Sequence, residues 1–266
     1  MRIVVCLKHV STNNTHFNNG KKILISDNTS EIINPNDRVA IELALKNSAD
    51  KDEIIALSMG PPEAEESLRE AIAMGINRAI LLTDKKFSGS DTLATAYVLH
   101  MAIRKIKEVD LIICGERTID SDTGHIGPQL AEYLQLPLLT YVTSFSIHNS
   151  QGIIAERICD NFQETIEAEL PALLTINHRI NDNIYPSFTG LIKAHNESDI
   201  TIWNFEEINA EIDKIGQFGS ATFVKKIITP QKKRQATIFT DDGSEKTINK
   251  LFKHLKEKNF ITKQTK

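Results

Sequence analysis

Short apolar runs alternate along the first half of the chain with segments of helical spacing. Ile3 to Leu7 reads as a strand, and so do Glu53 to Met59, Ala79 to Leu82 and Leu111 to Cys114. Between them, Asp37 to Asn47 places Val39, Ala40, Leu43 and Ala44 on one helical face, with Asn36 or Asp37 as the expected cap. Glu63 to Met74 predicts a helix stopped at Gly75, Asp91 to Ile106 one capped by Ser90 or Asp91, and Gly127 to Leu134 a third. Unbroken apolar strands such as IIAL, AILL and LIIC suit a parallel sheet covered on both faces. The prediction is an α/β fold, a Rossmann-like parallel sheet with helices on both faces.

From Leu138 to Ile176 the period changes to that of strands. TYVTSFSIHN, QGIIAERIC and ETIEAELPALLTI predict a mixed edge of the same sheet with a hairpin at Asn149–Gly152. Beyond Ile176 regular patterning stops, apart from a short acidic helix expected at Asn204 to Ile208 and a last helix at Gly243 to Lys258. That last helix carries Ile248, Leu251, Phe252 and Leu255 in one stripe. The division expected is a nucleotide-binding domain over 1–190 and a C-terminal arm over 191–266. The arm has no core of its own and is expected to lie on its own domain or on a partner, with a poorly ordered tail as the alternative.

Composition narrows the function classes. A formal charge of -4 with 6% aromatic residues gives neither a basic face nor a stacking platform, so nucleic acid is not expected. Cys6, Cys114 and Cys159 lack metal-ligand or redox spacing and read as reduced thiols in a reducing compartment. The apolar N-terminal run is too short for an export signal, and no stretch reaches the roughly 20 apolar residues of a membrane span. A cytoplasmic location is expected. Ser-His-Asp order, HExxH and a P-loop lysine are all missing, so a self-sufficient catalyst is not expected.

The candidate chemistry lies at Gly115 to Pro137. There the strand DLIICG enters a turn, Asp120-Ser121-Asp122-Thr123-Gly124, that opens a helix. Free amides at such a helix start hold phosphate, and ligands of parallel sheets collect at the carboxyl ends of the strands.

These residues resemble the β subunit of electron-transfer flavoproteins, the FixA type. The resemblance is carried by INPNDRVAIELAL (33–45), ALSMGPPEAEESLREAIAMGINRAILLTD (56–84), FSGSDTLATAYVL (87–99), DLIICGERTIDSDTGHIGPQLAEYLQLPLLTYV (110–142) and INDNIYPSFTGLIKAH (180–195). It implies an adenine nucleotide alpha hydrolase-like fold. It also implies a heterodimer with an α subunit that holds most of one FAD, and a C-terminal arm wrapped around that subunit. The further partner implied is an acyl-CoA or other flavin dehydrogenase. Within this chain the resemblance implies AMP or a second FAD, with FAD slightly favoured.

The site implied by resemblance comprises Cys6, Leu7 and Lys8; Asn34; Ser58, Met59 and Gly60; and Asp120, Asp122, Thr123, Gly124, His125 and Ile126. Asp120 and Asp122 fit a turn-orienting role better than phosphate contact, because like charges repel. Phe188 falls where the family places an exposed leucine on a loop that recognises dehydrogenases, with an inward-folded side chain as the alternative. Glu164 matches an acidic residue near that interface or simply faces solvent.

Three departures stand out. Val10-Ser11-Thr12-Asn13 replaces the Val-Pro-Asp-Thr of bifurcating members, Ser121 replaces a glycine, and His195–Asp199 replaces a lysine-rich run. The first bears on whether a flavin here would react with NADH. Two rival classes are a stand-alone adenine-nucleotide-binding protein and an ATP-using adenylating enzyme. The latter needs a phosphate-gripping loop where the chain has KHVSTNN.

Overall fold

The computed structural model describes residues 1–11, 16–18, 21–23, 31–148, 151–160, 162–177, 185–196, 200–226, 236–240 and 245–261. The chain opens with β1 (Arg2–Cys6), β2 (His9–Ser11), β3 (His16–Asn18), β4 (Lys21–Ile23) and β5 (Glu31–Ile33), then α1 (Pro35–Asn47). It continues through β6 (Glu53–Met59), α2 (Glu65–Met74), β7 (Arg78–Leu82), α3 (Thr92–Ile106), β8 (Leu111–Gly115) and α4 (Ile126–Leu134). Next come β9 (Leu138–His148), β10 (Gly152–Cys159), β11 (Phe162–Glu169), β12 (Ala172–Ile176), α5 (Phe188–Asn196), β13 (Thr201–Trp203), α6 (Gly216–Gly219) and α7 (Glu245–Glu257).

Nine strands form one sheet in the order β11-β10-β9-β12-β8-β1-β6-β7-β13. From β9 to β13 all neighbours are parallel, and β10 and β11 add an antiparallel edge. The central strands are buried along nearly their whole length, as their continuous apolar runs require. One core packs Val39, Leu43, Leu68 and Ile72 of α1 and α2 against the sheet. The other packs Tyr97, Val98 and Ile103 of α3 and Leu130 of α4 on the opposite face. The expected α/β class, with helices on both faces, is therefore the observed one.

Several local expectations change. ETIEAELPALLTI is two strands: Pro171, with no N–H to give a ladder, ends β11, and the chain crosses to lie between β9 and β8 as β12. Asn36 and Asp37 lie inside α1, whose N-cap is Asn34. Asn204 to Ile208 is not a helix. Asn204 and Glu207 exchange side-chain and amide hydrogen bonds at 2.8 and 2.9 Å, as a helix start does, but Asn209 takes φ 54° and turns the chain away.

The first compact unit runs to Lys225, beyond the boundary expected at 190. Sheet pairing explains the difference. β13 adds a strand beside β7, and the stretch after it is tied down by Glu211 N–H donating to Tyr97 Oη at 3.1 Å and Gly216 N–H to Ser90 Oγ at 3.1 Å. Asp91 caps α3 through the Leu93 and Ala94 amides and also accepts the Thr222 amide and hydroxyl at 2.9 and 3.0 Å. The second unit, 226–266, contains α7, on which Ile248, Leu251 and Phe252 are exposed.

Candidate functional site

β1 is flanked by β8 on one side and β6 on the other, and the chain builds outward from it in both directions. The carboxyl ends of β1 and β8 are thus a topological switch point, where connecting loops leave the sheet in opposite directions and open a crevice. The 115–124 loop leaves β8 at this point, and Lys8 leaves β1 beside it.

The loop is held from α1. Asn34 is fully buried; its Oδ1 accepts the Ile119 amide at 3.1 Å and its Nδ2 donates to Arg117 O at 3.0 Å. Asn36 Nδ2 donates to the same carbonyl at 2.9 Å. Asp37, also buried, accepts the Lys8 amide at 2.7 Å on Oδ2 and the Gly115 amide at 3.1 Å on Oδ1, and so ties β1 to β8. A Cβ at position 115 would collide with that carboxylate, so only glycine lets β8 approach it. Burial pushes the Asp37 carboxyl up to about 7, against the Asn34 side chain, the two amides and the Lys8 charge, which all favour the ionised form.

At the rim, Lys8 Nζ donates to Asp120 Oδ2 at 2.6 Å. Burial would raise the Asp120 carboxyl, but hydrogen bonds from Lys8 and Thr118 and the Lys8 charge hold it below the usual carboxylate value. Asp122 takes φ 52° and faces Arg117 Nη1 at 3.4 Å. Both aspartates are therefore engaged in shaping the turn. Ser121 is not among the positive-φ residues, so its side chain costs no backbone strain.

The amides of Thr123, Gly124, His125 and Ile126 find no acceptor among the described residues. They lead into α4, which Gly127 allows to lie directly on Thr175 of β12; a Cβ there would collide with the threonine methyl. On the other side of β1, Ser58 at the end of β6 is fully buried with an Oγ that has no partner among the described residues. Met59 follows it, and the Gly60 amide donates to Leu82 O at 3.1 Å. Cys6 and Leu7 are buried beneath the site, where Cys6 lies in register with Cys114. The hydrogen bond with Cys6 and burial push the Cys114 thiol up, so it is not nucleophilic. Four contiguous amides without acceptors, one lysine and a buried unpartnered hydroxyl fit the phosphate and ribose ends of a nucleotide.

A model of the electron transfer flavoprotein domain matches residues 22–205. Subunit CarD of the caffeyl-CoA reductase–Etf complex of Acetobacterium woodii is 38% identical over 264 residues, covering 98% of this chain and 100% of the relative. The electron transfer flavoprotein subunit beta of Thermoanaerobacterium thermosaccharolyticum is 37% identical over 98% of this chain and 100% of its own length. Protein FixA of Sinorhizobium fredii is 36% identical over 96% and 94%. The chain belongs to the electron transfer flavoprotein family, as a member of the β-subunit and FixA type.

In this flavoprotein chain the structure brings Cys6, Leu7, Lys8, Asn34 and the 120–126 turn together around the ends of β1 and β8, with Ser58, Met59 and Gly60 at the adjacent strand end. Phe188 and Glu164 lie on other elements. Phe188 is not on a loop; it is the first residue of α5, 78% exposed, with Tyr185 similarly exposed just before it. Glu164 faces out from the edge strand β11 and pairs with Arg157 Nε at 2.6 Å.

Asn36, Asp37 and Arg117 are site-building residues that motif reading misses. Asp37 had a signal: it is three and four residues from Ala40 and Ile41, on the stripe that faces the core, where an acid needs a partner. Thr12 and Asn13, part of the departure from the bifurcating pattern, lie outside the described residues. Ser11 ends β2 with a buried Oγ that has no partner among the described residues. Among those residues no helix is long and apolar enough to cross a membrane, and no cluster of potential metal ligands is found.

Proposed function

We propose that this chain is the nucleotide-carrying β subunit of a cytoplasmic heterodimeric electron-transfer flavoprotein, passing electrons between a flavin dehydrogenase and a further carrier. The observation that carries the nucleotide reading is the row of acceptor-free amides from Thr123 to Ile126 beside Lys8. The nucleotide is a second FAD, which when bound supplies two-electron acceptance and one-electron release. The chain's own residues have binding tasks. Lys8 meets a phosphate by trading its contact with Asp120, the turn amides hold the remaining oxygens, and Ser58 gives its hydroxyl a partner. Asn34 and Asp37 keep the two strand ends at the spacing this requires.

Relatives named for a caffeyl-CoA reductase–Etf complex and as an acryloyl-CoA reductase electron transfer subunit support a dehydrogenase or reductase of CoA esters as a partner. Phe188 and Tyr185 are exposed apolar residues of the kind that anchor such an interface. Residues 226–266, with the open stripe on α7, wrap the α subunit. A structural AMP in place of the second FAD is the alternative, and the change of Pro-Asp-Thr to Ser11-Thr12-Asn13 favours it. That change also bears on NADH-driven bifurcation.

The test is reduction of the purified αβ complex by a reduced acyl-CoA dehydrogenase, followed at the flavin absorbance. Reduction within turnover time is expected. Flavin that exchanges electrons with no dehydrogenase contradicts the proposal.

A further inference from the structure

α5 is nine residues long, and a helix that short does not hold its own shape in water. What it touches holds it. Ser187 Oγ accepts the Gly190 amide at 3.0 Å, as an N-cap does. Gly190 then lies directly on α2, where a Cβ would collide with the Ala73 carbonyl. One turn further along α5, and one turn back along α2, Arg69 Nη1 donates to the Ala194 carbonyl at 2.7 Å. The two helices therefore run antiparallel where they meet.

Arg69 makes this contact with a guanidinium that is already fixed. Its Nε donates to Glu65 Oε1 at 3.0 Å, one turn earlier on α2, and Nη2 donates to the same oxygen. The fork is aimed at the last turn of α5, where carbonyls lack partners within the helix and the helix dipole is negative. Ala194 itself is fully buried. The Ala73 contact sets how closely α5 approaches, and the Arg69 contact sets its rotation. With Gly190 and Ala194 turned to α2, Phe188 and Ile192 lie on the opposite side of the helix, and both are exposed.

We propose that Arg69 is a positioning residue for partner docking: through the Ala194 carbonyl it fixes the orientation of α5 and so presents Phe188 to the flavin dehydrogenase. The proposal rests on the docking reading of Phe188 above. Its physics is preorganisation. An anchor on a helix ordered before the encounter loses less freedom on binding than one on a helix that must be ordered during it. Arg69 reaches Ala194 from the α2 side, away from Phe188, so it acts on the partner only through α5. Its loss therefore weakens docking and leaves the electron-transfer step in the docked complex unchanged.

The experiment follows electron transfer from an acyl-CoA dehydrogenase, kept reduced by its acyl-CoA, to the full-length chain in its αβ complex, with the concentration of the complex varied. Arg69→Met keeps an apolar stem on α2 and removes the donors. It is expected to raise KM for the complex severalfold at wild-type kcat. Phe188→Ala is expected to raise KM as well, and the double variant by less than the product of the two effects, because Arg69 acts through the anchor. A wild-type KM in Arg69→Met, even with a lowered Tm, overturns the proposal, since a merely structural arginine gives that result. Fully multiplicative effects in the double variant overturn it too.

If Arg69→Met does not assemble, Arg69→Lys decides. Its single ammonium pairs with Glu65 and releases Ala194, so a raised KM is again expected, and a wild-type KM overturns the proposal. A raised KM in Phe188→Ala beside an unchanged one in the Arg69 variant refutes this inference alone. If Phe188→Ala leaves KM unchanged, the docking reading falls and this inference falls with it.

Discussion

Lys8 Nζ and Asp120 Oδ2 meet at 2.6 Å across the mouth of the β1–β8 crevice, so the lysine beside the 120–126 turn is held by a carboxylate. A ligand phosphate has to compete with that carboxylate. Asp120→Asn is therefore expected to leave nucleotide affinity unchanged or to raise it severalfold, as read by titration of the complex. A tenfold or larger loss would mean that Asp120 contacts the ligand.

Asn34 acts from beneath the same turn. Its amide makes two hydrogen bonds to backbone 83 and 85 residues away, at Arg117 and Ile119. Asn34→Ala leaves the Ile119 amide without its partner, while the Arg117 carbonyl keeps Asn36 Nδ2; each lost hydrogen bond costs about 0.5–1.5 kcal/mol. A fall in Tm with loss of co-purified nucleotide is expected. Full nucleotide retention at unchanged Tm would show that the turn holds its shape without α1.

The fold was legible because its strands are continuous apolar runs and its first helices have regular stripes; α3, for example, starts beside the expected cap, Asp91. The 115–126 segment was legible as a turn between a strand and a helix, and it is that: it joins β8 to α4. What escaped was non-local. β13 is three residues long, and nothing in Thr-Ile-Trp announces that it pairs with β7. The resemblance puts Phe188 on a loop, yet it opens a helix in which Gly190 packs against the Ala73 backbone. Asp37 reads as a cap because acids are ordinary at helix starts. Only the sheet order shows that it faces two strand ends.

Asp91 joins α3 to the segment ahead of residue 226. Burial would raise its carboxyl, but hydrogen bonds from Ala94, Thr222 and Leu93 hold it below the usual carboxylate range. Its contribution is present above the ordinary carboxylate pKa and is lost as pH falls through the depressed value. Asp91→Ala removes a helix cap, at about 0.5–2 kcal/mol, and releases Thr222. Lower Tm and faster proteolysis near residues 220–226 are expected. Unchanged cleavage there would show that Ser220 and Gly216 suffice to hold the segment.

Asp37 shifts the other way. The folded chain keeps its proton up to about 7, whereas an unfolded chain releases it near 3.8. Between those values the native state binds more protons, so this group makes stability fall as pH rises, with no further change above the folded value. Thermal unfolding from pH 5 to pH 8 should show that decline in the wild type and a flatter profile in Asp37→Asn. Identical profiles would mean that Asp37 does not titrate in this window.

The central claim is that the turn from Asp120 to Ile126 holds a nucleotide, a second FAD, within this subunit. The most direct measurement is the nucleotide content of the co-purified αβ complex, released by denaturation and separated by chromatography. Two FAD per heterodimer is the predicted result. One FAD with one AMP would contradict the second flavin and leave the subunit a structural nucleotide binder, and one FAD with no second nucleotide would contradict the site itself.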